Sequence, residues 1–159
     1  MTNNDFNGLN REIIIKITDV HDGDEKNSSE LITVGRFIGT DDNYSITYNE
    51  QDDEMKDCVT VLRVEGQEKV VMSRVGRYST EIIIEKNRRH NCRYDTPYGD
   101  FMIGVYADSI NSIVKNAAGS LVFSYTLDFN SSNAVKNVLN ISFKEAPSKR
   151  NNRYERNEI

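Results

Sequence analysis

Five side chains able to carry a charge or offer a phenolic hydroxyl fall at strand spacing: Tyr48, Glu50, Arg74, Tyr94 and Tyr125. Side chains on an extended segment repeat every two residues. Tyr48 and Glu50 therefore share a face with Tyr44 and Ile46, Arg74 with Val70 and Met72, Tyr94 and Thr96 with Cys92, and Tyr125 with Leu121, Phe123, Leu127 and Phe129. A polar group aimed into such an apolar interior needs a partner or water. A guanidinium grips a carboxylate or phosphate through two parallel hydrogen bonds, and an apolar wall takes the rest of a small molecule. The chemistry on offer is capture of a small amphipathic or anionic ligand, with Arg74 and Glu50 at the polar end of a pocket and the three tyrosines supplying hydroxyls. The competing reading is structural: an Arg74–Glu50 ion pair that stitches strands together.

Reaction chemistry is harder to build from these residues. Glu50 as a general acid needs its pKa raised by burial, and a neighbouring Arg74 pushes it down. No catalytic residue is assigned. His21 sits in "DVHDGDEK" beside Asp19, Asp22, Asp24 and Glu25, but the spacing is not that of a calcium loop and His90 is far along the chain. The segment reads as a solvated acidic loop, and neither a metal site nor a cofactor is expected. Cys58 and Cys92 lack CxxC spacing and are expected as reduced, partly buried thiols. There is no glycine-rich phosphate loop and no nucleophile with a base at motif spacing.

Charge is uneven along the chain. Acidic residues gather from Asp41 to Asp57, and basic ones at Arg74, Arg77, Lys86, Arg88, Arg89 and Arg93, with Tyr78 and Tyr94 interleaved. A basic patch with aromatics can hold single-stranded nucleic acid. The net charge of −5 opposes that reading, so nucleic acid is not the expected partner. An RNA- or protein-interaction module built on the hairpin around Arg88 and Arg89 stands as the alternative function. Contact between acidic loop and basic hairpin could also make a homodimer.

These side chains need a scaffold that turns many strands inward. The chain has 159 residues, enough for one domain with a real core, and 37% hydrophobic residues with no tryptophan. No run approaches the roughly 20 apolar residues of a membrane helix, and no basic segment leads into an apolar one at the start, so a cytoplasmic location is expected. Residues 1–10 read as a polar arm, 11–146 as the domain and 147–159 as a charged tail.

Within the domain, alternating segments from "EIIIKITDV" to "AVKNVLNISFKEA" recur between turn-forming clusters such as "HDGDEKNSSE", "GQE" and "GRYS". They predict an all-β fold of about eight to ten antiparallel strands, closed into an up-and-down barrel that leaves no exposed edge. A two-sheet sandwich is the second choice. Ile110, Ile113 and Val114 stand at helical spacing between Ser109 and Gly119, which predicts a short helix near 109–116. In "CRYDTPYGDFMI", Pro97 holds Thr96 extended and Gly99 relaxes the backbone, so the pair turns one strand into the next. Tyr94 is expected to face inward and Tyr98 to cover the rim.

The segments "GRFIGTDDNYSITYNE", "VVMSRVGRY", "YDTPYGDFMIGVYA" and "GSLVFSYTLDF", in this order, resemble the bacterial YwiB-like family, a small domain of unknown function. The resemblance runs from about Ile13 to Ala146. The run Tyr94-x-Thr96-Pro97-Tyr98-Gly99 is its most specific piece, followed by Arg74-x-Gly76. It implies a calycin-like (lipocalin-like) barrel, a bacterial cytoplasmic origin and a ligand cavity, and it assigns no activity. A cofactor-free lyase similar to phenolic acid decarboxylases in architecture alone is the second alternative.

Overall fold

Period-two alternation of apolar and polar residues builds every element of the molecule. The computed structural model describes residues 8–21, 24–51, 57–129 and 132–147. In chain order the strands are β1 Leu9–His21, β2 Asp24–Gly39, β3 Asn43–Asn49, β4 Val59–Glu65, β5 Lys69–Val75, β6 Thr80–Glu85, β7 His90–Thr96, β8 Gly99–Lys115, β9 Ala118–Phe129 and β10 Ser132–Glu145. They form one antiparallel sheet in the order β6-β5-β4-β3-β2-β1-β10-β9-β8-β7. Each strand lies beside its neighbour in sequence, and β1 pairs with β10 from Ile13↔Glu145 to His21↔Asn137, which joins the first strand to the last.

The outer strands of this sheet, β6 and β7, are themselves consecutive, and side chains rather than a backbone ladder join them. Thr80 Oγ1 donates to the Asp95 carbonyl at 3.3 Å and accepts the Asp95 N–H at 3.1 Å. The Ile83 N–H points at Cys92 Sγ at 3.5 Å, and Glu85 Oε1 meets His90 Nε2 at 2.8 Å. The result is a nearly closed, calycin-like barrel of ten strands with this one seam.

The two ends of the barrel differ. At the end carrying the β2–β3, β4–β5 and β8–β9 turns, Phe37 stacks on Tyr44 at 5.0 Å between ring centroids, and Phe143 packs on both. Each fully buried ring or aliphatic side chain here stabilises the fold by about 1.5–3 kcal/mol, with about 0.5–1.5 kcal/mol more per well-oriented aromatic pair. Polar ties reinforce the plug: Tyr44 Oη and Ser112 Oγ are 2.7 Å apart, Gln67 bonds both the N–H and C=O of Ser112, and Asp41 accepts the Asn116 N–H. This end is closed. The opposite end, where β3 runs out towards Glu50 and β1 towards His21, keeps a cavity.

Three expectations change. The stretch 109–116 holds no helix: β8 runs unbroken to Lys115, and Asn116 belongs to the turn into β9. A bulge between Ala107 and Ser109 inserts Asp108, whose carboxylate takes the Thr126 hydroxyl at 2.8 Å, and it shifts the inward positions by one residue. Ile110 is then buried while Ile113 is 64% exposed, so their three-residue spacing comes from a strand and its phase shift. β2 begins at Asp24, inside the stretch expected to be a loop. β1 begins at Leu9, inside the expected arm; residues 1–7 of that arm and the tail from 148 onward lie outside the described residues. No helix among the described residues is long and apolar enough to cross a membrane.

The Pro97 turn keeps its expected form. Thr96 Oγ1 accepts the Tyr98 N–H at 3.1 Å and donates to the Gly99 carbonyl at 3.0 Å, and Gly99 holds φ at +126°, where a side chain would be strained. Tyr98 is 78% exposed at the tip of the hairpin.

Candidate functional site

Arg74, Thr60 and Tyr48 are cross-strand neighbours in one row, through the register pairs Thr60↔Arg74 and Tyr48↔Thr60. Side chains directly opposite one another on one face of a sheet lie within contact range, so β3, β4 and β5 set three polar groups side by side on the inner wall. Glu50 continues the Tyr44-Ile46-Tyr48 face just past the end of β3, and its backbone N–H bonds the Cys58 carbonyl at 3.0 Å. Tyr125 and Tyr94 reach the same space from β9 and β7. All five side chains singled out from the sequence line one cavity of about 620 Å³. That volume lies within the range of about 300–1,000 Å³ typical of small-molecule pockets. Ile17, Leu31, Met72, Ile82, Leu127 and Leu139 supply its apolar wall.

Among the further polar residues that line it are Asp19, His21 and Asn137. A sequence signal for them exists. Ile13, Ile15 and Ile17 on β1 continue in the same phase to Asp19 and His21, and Phe143, Ile141 and Leu139 on β10 continue back to Asn137. The acidic-loop reading of "DVHDGDEK" obscured this, because two of its residues are the polar ends of inward-facing rows. His21 pairs across strands with Asn137, and its Nδ1 sits in hydrogen-bond contact with Asn137 Oδ1. Its Nε2 lies 3.7 Å from Asp19 Oδ2. Asn137 is buried, whereas half of the His21 side chain is exposed, so this group stands between the interior and the mouth.

Burial dominates the electrostatics. It pushes the Tyr48 phenol well above the ordinary tyrosine range, with Glu50 adding to the shift and Arg74 opposing it. It does the same to Tyr125, where Asp19 and Tyr94 add and Arg74 opposes. Both phenols are therefore neutral hydroxyls throughout physiological pH. Burial also raises Asp19 above the usual carboxylate value, against the pull of His21.

Glu50 Oε2 takes the Thr60 hydroxyl, and among the described residues no ion pair joins Glu50 to Arg74. Arg74 Nε is buried without a hydrogen-bond partner, and so is Asp19 Oδ1. A buried polar atom left without a partner costs about 1–3 kcal/mol, and more when the group is charged. Two residues of the cavity wall thus each hold one buried polar atom without a partner. Among the described residues no three His, Cys, Asp or Glu side chains converge as a metal site would require.

The basic hairpin is partly committed to the barrel wall. Arg89 grips Asp128 through Nη2 at 2.6 Å and Nε at 3.3 Å, while Arg93 pairs with Asp100 across the β7–β8 hairpin. The Arg89 guanidinium lies where a side chain at Gly104 would sit.

The sequence pattern of DUF1934, described as a domain of unknown function, matches residues 13–141, a span that runs from β1 to β10 and holds every cavity residue named above. The chain belongs to the DUF1934 family. The fold of this DUF1934 chain is similar to the crystal structure of the ywiB protein from Bacillus subtilis, with a TM-score of 0.72 and 17% identity over 87% of this chain and 94% of that one. At that identity the likeness speaks to the barrel alone, and it agrees with the YwiB-like resemblance of the sequence. No curated protein sequence matches the DUF1934 chain.

Proposed function

We propose that this DUF1934 barrel binds a small amphipathic molecule through an anionic or strongly accepting group held at Arg74. The observation that carries the reading is Arg74 on the wall of a 620 Å³ cavity, with no ion pair from its guanidinium to a carboxylate among the described residues. A guanidinium that served only to tie strands together would spend its donors on a carboxylate, and Glu50, which lines the same cavity, is turned to Thr60 instead. Apolar side chains from several strands surround the polar row and would take the hydrophobic part of the ligand. Neutral Tyr48 and Tyr125 hydroxyls would orient it.

Displacement of the neutral fluorophore N-phenyl-1-naphthylamine tests the reading. The fluorophore should enter the cavity, and 3-phenylpropanoate should displace it at concentrations well below those needed for 3-phenylpropanol, which has the same body without the charge. Arg74→Met keeps the length of the side chain and should abolish the difference between the two. Exclusion of the fluorophore from the wild-type barrel, or an unchanged carboxylate preference in Arg74→Met, would sink the proposal.

A further inference from the structure

Arg74 and Thr80 border two spaces at once: the 620 Å³ interior, and a cleft of about 590 Å³ on the outer side of the seam that Glu81, Ile83, Cys92 and Arg93 also line. At this point the barrel wall is no thicker than those two side chains. No backbone ladder joins β6 to β7, and the two ends of their seam are held unequally. At the closed end of the barrel the turn between them links the strands covalently, Glu85 bridges to Arg88 and meets His90, and Arg89 grips Asp128 on β9. At the open end the strands leave into two separate turns, 76–79 and 97–98. There the Thr80 hydroxyl bonds the Asp95 backbone, and the Asp95 carboxylate draws on the Ser79 N–H. The seam thus has a hinge at one end and a latch at the other.

Resting on the reading of the cavity as a ligand site, we infer that the seam is its lateral gate: β6 and β7 part at the Thr80–Asp95 end, hinge at their turn, and pass the ligand sideways between the outer cleft and the interior. Local openings draw on the least strongly tied part of a fold, and they set binding rates without altering the closed site. The side chains along the path suit an amphipathic anion. Arg63 and Arg93 in the outer cleft are engaged by Glu81 and Asp100, which leaves Arg74 as the cation on the path without an ion pair among the described residues. Arg74 is the cross-strand partner of Thr80, so an anionic group that enters past the latch meets the guanidinium there and keeps it as a partner inside. Ile82 on β6 and Tyr94 on β7 line the inner side of the gap and receive the apolar body.

Stopped-flow binding of N-phenyl-1-naphthylamine to the full chain measures the gate. Thr80→Val removes the latch hydroxyl and keeps the shape of the side chain. It should raise the association and dissociation rate constants together, by about fivefold or more, and leave their ratio nearly unchanged, because a weaker latch alters how often the gate opens and not what the closed site offers. Thr80→Ser retains the hydroxyl and should keep the wild-type rates. Cys92 reports on the seam without any ligand: it is buried with its Sγ facing the Ile83 N–H, so iodoacetamide reaches it when the strands part. Peptide mass spectrometry should find Cys92 alkylated faster in Thr80→Val, in step with the fluorophore rates. Either acceleration without the other, a change in affinity alone, or no change in any of the three overturns the gate and leaves the cavity reading standing. If the fluorophore does not bind the wild-type barrel, the cavity reading fails and takes the gate with it.

Discussion

Thr80 and Asp95 exchange two hydrogen bonds across the seam of the barrel, the Thr80 hydroxyl giving one to the Asp95 carbonyl and taking one from its N–H. With the Ile83–Cys92 and Glu85–His90 contacts, the Thr80 side chain thus joins β6 to β7, where every other neighbouring pair has a backbone ladder. Thr80 is 8% exposed and also lines both the inner cavity and a cleft on the outer side of the seam. Thr80→Val keeps its shape and removes both bonds. Two hydrogen bonds at about 0.5–1.5 kcal/mol each set the expected loss of stability. Urea denaturation should show it, and amide hydrogen exchange should accelerate in β6 and β7 ahead of β1 and β10. Uniform acceleration across all strands would mean that the seam is not a separate weak point.

A second prediction concerns Gly104, which pairs with Asp128 on β9. A Cβ there would fall 1.9 Å from Arg89 Nη2, so alanine must expel the guanidinium from its two contacts with Asp128. Gly104→Ala should therefore lower stability by as much as the loss of the Arg89–Asp128 pair does, measured as the drop caused by Arg89→Ala. In an Arg89→Ala background the clash has no partner. The double-mutant cycle should therefore show strong coupling, with Gly104→Ala nearly neutral once Arg89 is gone. Additive losses would place the need for glycine in the backbone instead.

The convergence of Tyr48, Glu50, Arg74, Tyr94 and Tyr125 was legible because each sits in phase with aliphatic residues on its own strand, and a closed sheet sends all such faces to one interior. The same rule reaches Asp19, His21 and Asn137 when it is carried past Ile17 and Leu139. It failed there because charged residues beside a turn resemble a solvated loop. At Ile110 it failed for another reason: a bulge at Asp108 changes the phase within one strand, and three-residue spacing then imitates a helix. The seam had no sequence signal, since Thr80 and Asp95 carry ordinary strand residues whose role appears only when the barrel closes. The partnering of Glu50 by Thr60 likewise depends on register between β3 and β4, which spacing along one strand does not set.

Asp19 gives the cavity a pH dependence with a definite sign. Its pKa is raised in the folded protein, chiefly by burial, so the unfolded chain ionises first as pH climbs from the ordinary value of 3.8. The carboxylate therefore favours folding below that value and disfavours it increasingly as pH rises through the folded pKa. Asp19→Asn should be more stable than the parent at pH 7, and the gap should close as pH falls towards 4. Thermal unfolding midpoints of both proteins between pH 4 and 8 measure it. An asparagine variant that is less stable at pH 7 would mean that His21 holds the carboxylate more firmly than burial opposes it.

The phenols predict the alkaline limit of the fold. Tyr44 is pushed up to about 12, with burial as the main cause and its bond to Ser112 opposing, while Tyr48 and Tyr125 lie higher still. The unfolded chain ionises these groups near 10.0, so all three support the folded state fully below that pH and weaken it as pH rises towards their folded values. Tyrosinate absorbance should accordingly lag behind that of the denatured protein and then rise together with loss of near-ultraviolet circular dichroism. Replacement by phenylalanine separates the contributions. Tyr44→Phe loses the Ser112 bond, about 1 kcal/mol at neutral pH, but removes an ionisation that drives unfolding in base, so its deficit should shrink and then reverse above pH 10. Tyr48→Phe and Tyr125→Phe should raise the alkaline midpoint more, because their folded values are displaced further. If Tyr48 instead ionised near 10 with the barrel intact, water would have to reach it freely, and neither it nor Tyr125 could serve as a dry, neutral donor to a bound acid.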